Sequence, residues 1–224
     1  MPVFLLNEDI FFPPVYLARN DGLLAVGGDL SKKRLIQAYK LGIFPWFSEG
    51  DPLLWWSPDP RLVMFLDEFK PSRSLRQVIK RCIFTVTFDK DFCGVINNCA
   101  AERLGKPDGT WLTEEMIRAY IGLHKSGYAH SVECWQEGEL SGGLYGVAIG
   151  KMFFGESMFT KVSNASKTAF AFLVEKLIEL EFHLIDCQVR TEHLVSMGAR
   201  EITGEEFQAI LKAAVKPPLK SIWQ

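Results

Sequence analysis

The stretch from His130 to Val189 constrains the fold more than any other part of this sequence. It reads as strands over 130–136, 140–149 and 151–159, separated only by Glu137-Gly138-Glu139 and by Gly150. Connections this short leave an antiparallel meander as the available pairing. A helix follows from Asn164, a candidate N-cap, to about Phe182, with Phe170, Leu173, Val174, Leu177 and Ile178 spaced to face inward. The apolar run over 183–189 then reads as a buried strand. Upstream, 62–66 and 83–88 read as strands. Ser72 or Ser74 caps a helix to about Cys82 with an apolar stripe of Leu75, Val78, Ile79 and Cys82. Helices are expected over 92–101 and 113–125, the second with Glu114 and Glu115 in its first turn, where the helix dipole favours acid. Short helices over 192–197 and 204–215 close the chain. Helices, then a meander, then helix–strand–helix define an α+β or mixed α/β protein.

The first 60 residues have another texture. Pro13-Pro14, Gly22, Gly27-Gly28, Pro45, Pro52, Pro58 and Pro60 leave room for one helix, capped by Ser31 and ending near Leu41 before Gly42. The remainder of this segment reads as loops and short turns. A small N-terminal domain over 1–60 and a larger domain over 61–224 are expected.

Composition removes several classes. The 224 residues are 48% hydrophobic and 23% charged, which excludes disorder, collagen and coiled coil. A net charge of -2 excludes a uniformly basic surface but not a local basic patch. No apolar run reaches the ~18 residues of a membrane span. The apolar start lacks a basic flank and is interrupted by Asn7, Glu8 and Asp9, unlike a signal peptide. Five cysteines without a CxxC pair, and four scattered histidines without HExxH, argue against disulfides and a structural metal. A cytoplasmic protein is expected. Phosphate-loop, dinucleotide, kinase and nucleophile-elbow motifs are missing.

Four features carry chemistry. In Leu184-Ile185-Asp186-Cys187-Gln188-Val189, strand alternation puts Asp186 and Gln188 side by side with Leu184 on one face. Either this carboxylate and amide work in a buried site, or the strand ends early and both are solvated. Gly155 inside a strand suggests a bulge or a close approach by a ligand. The neighbouring Glu156 either faces a cation or lies at an exposed strand end. Trp46 and Trp111 sit on Pro- or Gly-rich loops, as stacking platforms for bases or as hydrophobic anchors, while Trp55 and Trp56 read as anchors. Finally, Arg73, Arg76, Lys80 and Arg81 fall between Lys70 and Arg81 with no acid among them. The first three form one helical stripe, suited to phosphates or simply solvated.

Nine stretches, in order along the chain, resemble the leucyl/phenylalanyl-tRNA–protein transferase family: GLLAVGGDLS at 22–31, GIFPWFS at 42–48, LWWSPDPR at 54–61, GTWL at 109–112, AHSVE at 129–133, GGLYGV at 142–147, GESMF at 155–159, NASKT at 164–168 and LIDCQV at 184–189. The resemblance implies a small N-terminal domain joined to an acetyltransferase-like (GNAT-type) C-terminal domain. It implies transfer of Leu or Phe, and less readily Met, from aminoacyl-tRNA to the α-amine of proteins beginning with Arg or Lys, which marks them for the N-end rule pathway. No cofactor is implied.

Position by position, Asp186 and Gln188 match the family's proposed catalytic pair. Trp46 and Trp111 match residues sandwiching the terminal adenosine. Leu144, Phe153, Phe170, Leu173, Leu177 and Ile185 match the pocket for the amino-acid side chain, and Arg73, Arg76, Lys80 and Arg81 the basic tRNA-binding cluster. Gln188 is expected to hydrogen-bond the attacking amine, with Asp186 polarising Gln188 or holding the amine through water. Glu156 is the candidate partner for the cationic end of the acceptor. A cytoplasmic monomer is the default, with no membrane partner. Two rivals are an acetyl-CoA-dependent N-acetyltransferase and a non-catalytic RNA-binding module.

Overall fold

The computed structural model describes residues 3–103, 111–216 and Trp223. Gly109 and Thr110 of the GTWL stretch lie outside them. The chain begins with β1 (Phe4–Leu6), β2 (Leu23–Gly27), α1 (Lys32–Lys40), β3 (Phe44–Pro45) and β4 (Leu54–Trp56). These strands pair in the order β1-β2-β4-β3. The expectation of loops around one helix is thus incomplete, because the segments before and after α1 form a four-stranded sheet. Its strands have two to five residues each, too short for alternation to register as a period. Helix α1 matches its expected cap, the Ser31 hydroxyl accepting from the Arg34 N–H. Trp55 is the expected anchor. It is fully buried, and its indole N–H donates to the Gly27 carbonyl at 2.9 Å.

A second sheet follows. It uses β5 (Arg61–Phe65), β6 (Thr85–Phe88), β7 (Ala129–Gln136), β8 (Glu139–Ile149), β9 (Met152–Thr160), β10 (Leu184–Gln188) and β11 (Arg200–Ile202). Their order is β11-β5-β10-β9-β8-β7-β6, antiparallel throughout except for the parallel β9–β10 pair. Helices α2 (Arg73–Lys80), α3 (Phe92–Arg103) and α4 (Glu114–Lys125) precede the meander. Helix α5 (Ala165–Glu179) crosses from β9 to β10, and α6 (Glu192–Ser196) and α7 (Gly204–Ala214) complete the chain. This is the mixed α/β architecture expected, and a meander ending in one helix-bridged parallel pair fits an acetyltransferase-type C-terminal part.

Alternation along the strands sends neighbours to opposite faces. Val63, Tyr145 and Phe154 enter one apolar cluster, with residues of α1, α3, α4 and α7. Leu62, Leu144 and Phe153 enter the other, with Phe170, Leu173 and Leu177 of α5. Three local expectations need correction. Asn164 makes no side-chain cap bond and takes a left-handed backbone with φ 68°, so it bends the chain into α5 rather than capping it. Ile178 is 53% exposed, because it lies at the edge of the stripe whose centre, Leu173 and Leu177, is buried. Cys82 lies beyond the end of α2 with φ 49° and is exposed, since the helix stops at Lys80. Among the described residues no helix is long and apolar enough to cross a membrane, and no cluster of three His, Cys, Asp or Glu could hold a metal ion.

Gly146 on β8 shows how closely the centre is packed. A Cβ there would run into the Phe154 carbonyl and the Phe153 ring. Gly146→Ala should therefore cost about 1–3 kcal/mol through forced repacking. A thermal melt checks this, and an unchanged midpoint would mean that β8 and β9 can move apart freely.

Candidate active site

Strands β9 and β10 run parallel and pair only as far as Asp186 opposite Phe154. Beyond that point the ladder stops. In β9, Gly155 and Ser157 oppose Gly146 and Tyr145, so Glu156 is an extra residue, the bulge expected near Gly155. In β10, Asp186 and Gln188 oppose Val63 and Leu62, so Cys187 is extra. Gln188 also has φ 60°, rare for a residue with a side chain. A cavity of about 550 Å³ opens around this parting.

One wall is apolar. Leu144, Phe153, Phe170, Leu173 and Ile185 line it as expected, joined by Met158, Cys187 and Leu194. Leu177 does not line it, but is fully buried in the adjoining cluster one turn along α5. Burial pushes the Cys187 thiol up, helped by the negative charge of Asp186, so it is an apolar lining atom at neutral pH. Trp46 and Trp111 both border the cavity, and Trp46 is 43% exposed. The Trp46 carbonyl accepts from the Trp56 indole N–H at 2.6 Å, and the two rings sit 5.8 Å apart, which fixes the loop. His193 of α6 also lines the cavity, its pKa lowered by burial and by Lys167.

The bulge corrects the expectation that Asp186 and Gln188 share one face. Gln188 turns into the cavity wall alongside Ile185, while Asp186 stays beneath it with 0% exposure. Arg61, the first residue of β5, grips Asp186 with two bonds, from Nε at 2.8 Å and Nη2 at 2.6 Å. The same carboxylate accepts the Gln188 backbone N–H at 2.9 Å. The Arg61 guanidinium also stacks on the rings of Phe44 and Phe207, 4.9 and 4.6 Å away. Asp186 therefore fixes the backbone of Gln188 and does not touch its amide. Removing one member of such a buried pair costs about 3–5 kcal/mol, because a lone charge is stranded.

The group that meets the Gln188 amide is Glu156. Gln188 Nε2 donates to Glu156 Oε1 at 3.1 Å. The Tyr39 hydroxyl donates to the same oxygen at 2.7 Å, and the Tyr120 hydroxyl to Oε2 at 2.8 Å. Tyr39 and Tyr120 lie 2.5 Å apart, oxygen to oxygen. Glu156 is partly buried on the cavity wall rather than at an exposed strand end. Burial pushes its carboxyl up to about 7; the Tyr39 and Tyr120 hydrogen bonds oppose this, the Asp186 charge adds to it, and Gln188 opposes it. Burial and the Glu156 charge raise both tyrosines well above their usual range, so they remain donors. Sequence reasoning missed Tyr39, Tyr120 and Arg61. On a helix stripe a tyrosine reads as core, and only its polar tip marks another use.

The cationic residues Arg73, Arg76, Lys80 and Arg81 are all exposed, on α2 or at its C-terminal cap. None forms an ion pair among the described residues. Helix α2 packs on α5, the helix that carries Phe170 and Leu173 into the cavity.

The sequence profile of the leucyl/phenylalanyl-tRNA protein transferases matches residues 63–212, and that of their N-terminal domain matches residues 28–59. Curated relatives under the same name come from several bacteria. That of Syntrophobacter fumaroxidans is 59% identical over 94% of this chain and 90% of its own. The relative from Desulforapulum autotrophicum is 54% identical over 100% and 98%, and that from Pseudomonas fluorescens strain Pf-5 is 56% identical over 100% and 99%. Such agreement defines an enzyme of the aminoacyltransferase class. The chain belongs to the leucyl/phenylalanyl-tRNA protein transferase family.

The raised Glu156 carboxyl has a consequence for stability. An acid whose folded pKa exceeds its ordinary value binds its proton more tightly when folded. Stability should then be greatest below about 4.5, decline as pH rises toward 7 and level off beyond it, as far as this group decides. Urea unfolding across that window should show Glu156→Gln flattening the decline. A variant with the wild-type slope would place the titration elsewhere.

Proposed function

We propose that the protein transfers Leu or Phe, and less readily Met, from aminoacyl-tRNA to the α-amine of proteins beginning with Arg or Lys. The product carries a new peptide bond and an N-end rule degradation signal. The observation that carries this reading is one cavity that combines a greasy wall, two bordering indoles and a polar Gln188–Glu156 pair. In this reading the indoles of Trp46 and Trp111 hold the terminal adenosine between them. Leu144, Phe153, Phe170, Leu173 and Ile185 receive the amino-acid side chain, with Leu177 supporting them from behind. Such a wall separates hydrophobic side chains by only ~1–3 kcal/mol per methylene, so Leu, Phe and Met overlap as substrates.

The aminoacyl ester is already activated, and no cofactor is needed. Positioning alone supplies up to ~7–11 kcal/mol of barrier reduction. Gln188 hydrogen-bonds the attacking amine, and Asp186, paired with Arg61, sets the backbone that aims Gln188. Glu156 faces the positive end of the acceptor. Arg73, Arg76, Lys80 and Arg81 contact tRNA phosphates, and the enzyme acts in the cytoplasm as a monomer in two domains, 1–60 and 61–224.

The direct test is transfer of labelled Leu or Phe from charged tRNA to peptides that differ only in an N-terminal Arg, Lys or Ala. Arg and Lys peptides should be modified and the Ala peptide left untouched. Glu156→Gln should raise the acceptor KM without changing aminoacyl-tRNA affinity. Transfer of labelled acetyl groups from acetyl-CoA instead would establish the acetyltransferase rival. For the basic helix, Lys80→Ala should weaken tRNA binding and reduce the slope of log K against log salt by about one. An unmoved slope would mean a merely solvated face.

A further inference from the structure

The Glu156 carboxylate accepts from three donors, and no cation pairs with it among the described residues. Tyr39 and Gln188 occupy Oε1, and Tyr120 occupies Oε2. A carboxylate offers about four lone-pair sites, which leaves one, on Oε2. One remaining site suits a single N–H donor. A guanidinium, which seeks two parallel acceptors, is poorly served by it. Of the two cations at the start of an Arg-initiated protein, the α-ammonium is therefore the better match. Asp186 cannot take this role. It is fully buried, does not line the cavity, and already faces the Arg61 guanidinium.

We infer that Glu156 accepts the proton of the acceptor's α-ammonium, and that Tyr39 and Tyr120 are positioning residues that aim its carboxylate and favour its ionised form. This rests on the transferase reading and deepens it. In the step, one N–H bond of the ammonium breaks and its proton passes to Glu156. The freed nitrogen lone pair forms the C–N bond to the ester carbonyl carbon. The C–O bond to the ribose then breaks, its electrons staying on the ribose oxygen. That oxygen takes the second amine proton and leaves as a hydroxyl, and Glu156 returns its proton to water.

The chemistry is matched. An α-ammonium titrates at about 7.7–8.0, close enough to the raised Glu156 carboxyl for exchange in either direction. Titratable and charged groups reach this carboxylate from each packed element. They are Tyr39 on α1, Tyr120 on α4 and Asp186 on β10; behind these, Tyr145 on β8 acts on Tyr39, and Arg61 on β5 pairs with Asp186. His193 on α6 lines the same cavity.

The test is single-turnover transfer from a preformed Leu-tRNA complex to an Arg-initiated peptide, followed against pH. Wild type, Tyr39→Phe, Tyr120→Phe and Glu156→Gln are compared, with Leu-tRNA binding as the check on folding. The wild-type rate should rise through an acid limb near neutrality. Each tyrosine variant loses one donor to the anion, so its limb should move up by about one pH unit, the scale of one charge-assisted hydrogen bond. Glu156→Gln should lose the limb near neutrality and at least ~100-fold in rate, keeping only the titration of the peptide's own α-amine at ~7.7–8.0. A merely structural role for the tyrosines would lower rates and leave the limb in place. Transfer with an unmoved limb, or with the limb intact in Glu156→Gln, overturns this inference alone. No transfer to any peptide removes the transferase reading as well.

Discussion

The buried pair between Arg61 and Asp186 is the contact on which the rest of the site depends. Both charges are out of water, and each is held by the other through two short bonds. That pair locks β5 to β10 where β10 carries its bulge. It also fixes the Gln188 backbone, and so directs the Gln188 amide toward Glu156. Through its rings, Phe44 and Phe207, the same guanidinium ties β3 of the first sheet and α7 to the second sheet. One arginine thereby links β3, β10 and α7.

Around that anchor the site arises from a failure of pairing. Parallel β9 and β10 separate after Phe154 and Asp186, and each strand places an extra residue near the gap. The gap joins the two faces of the sheet. Leu144, Phe153 and Phe170 reach it from the α5 side, whereas Glu156 is held from the opposite side by Tyr39 of α1 and Tyr120 of α4. An apolar slot and a polar pair therefore coexist within one cavity, at the cost of a Glu156 carboxyl that burial pushes up.

Much of this was legible in the residues. The meander and the long helix follow from turn chemistry and period, and the larger sheet from their order. The resemblance located Gln188, Trp46, Trp111 and most of the greasy wall. Two things were hidden. The first sheet is built from strands too short to show alternation, so Gly and Pro dominated the reading of 1–60. The bulges were the second obstacle: a strict period of two puts Asp186 and Gln188 on one face, and only the extra Cys187 separates them. Nor does any local pattern connect Tyr39, Tyr120 and Glu156, which lie 81 and 36 positions apart in sequence.

Glu156 is held by neutral donors, so its charge, when present, is unmatched by a cation among the described residues. A free amino acid would bring its own carboxylate within a few bonds of its ammonium and be repelled. The first residue of a polypeptide has an uncharged amide at that place and meets no such repulsion. If Glu156 takes the acceptor's ammonium as proposed, the cavity tells the beginning of a chain from a free monomer using nothing more than an unmatched negative charge.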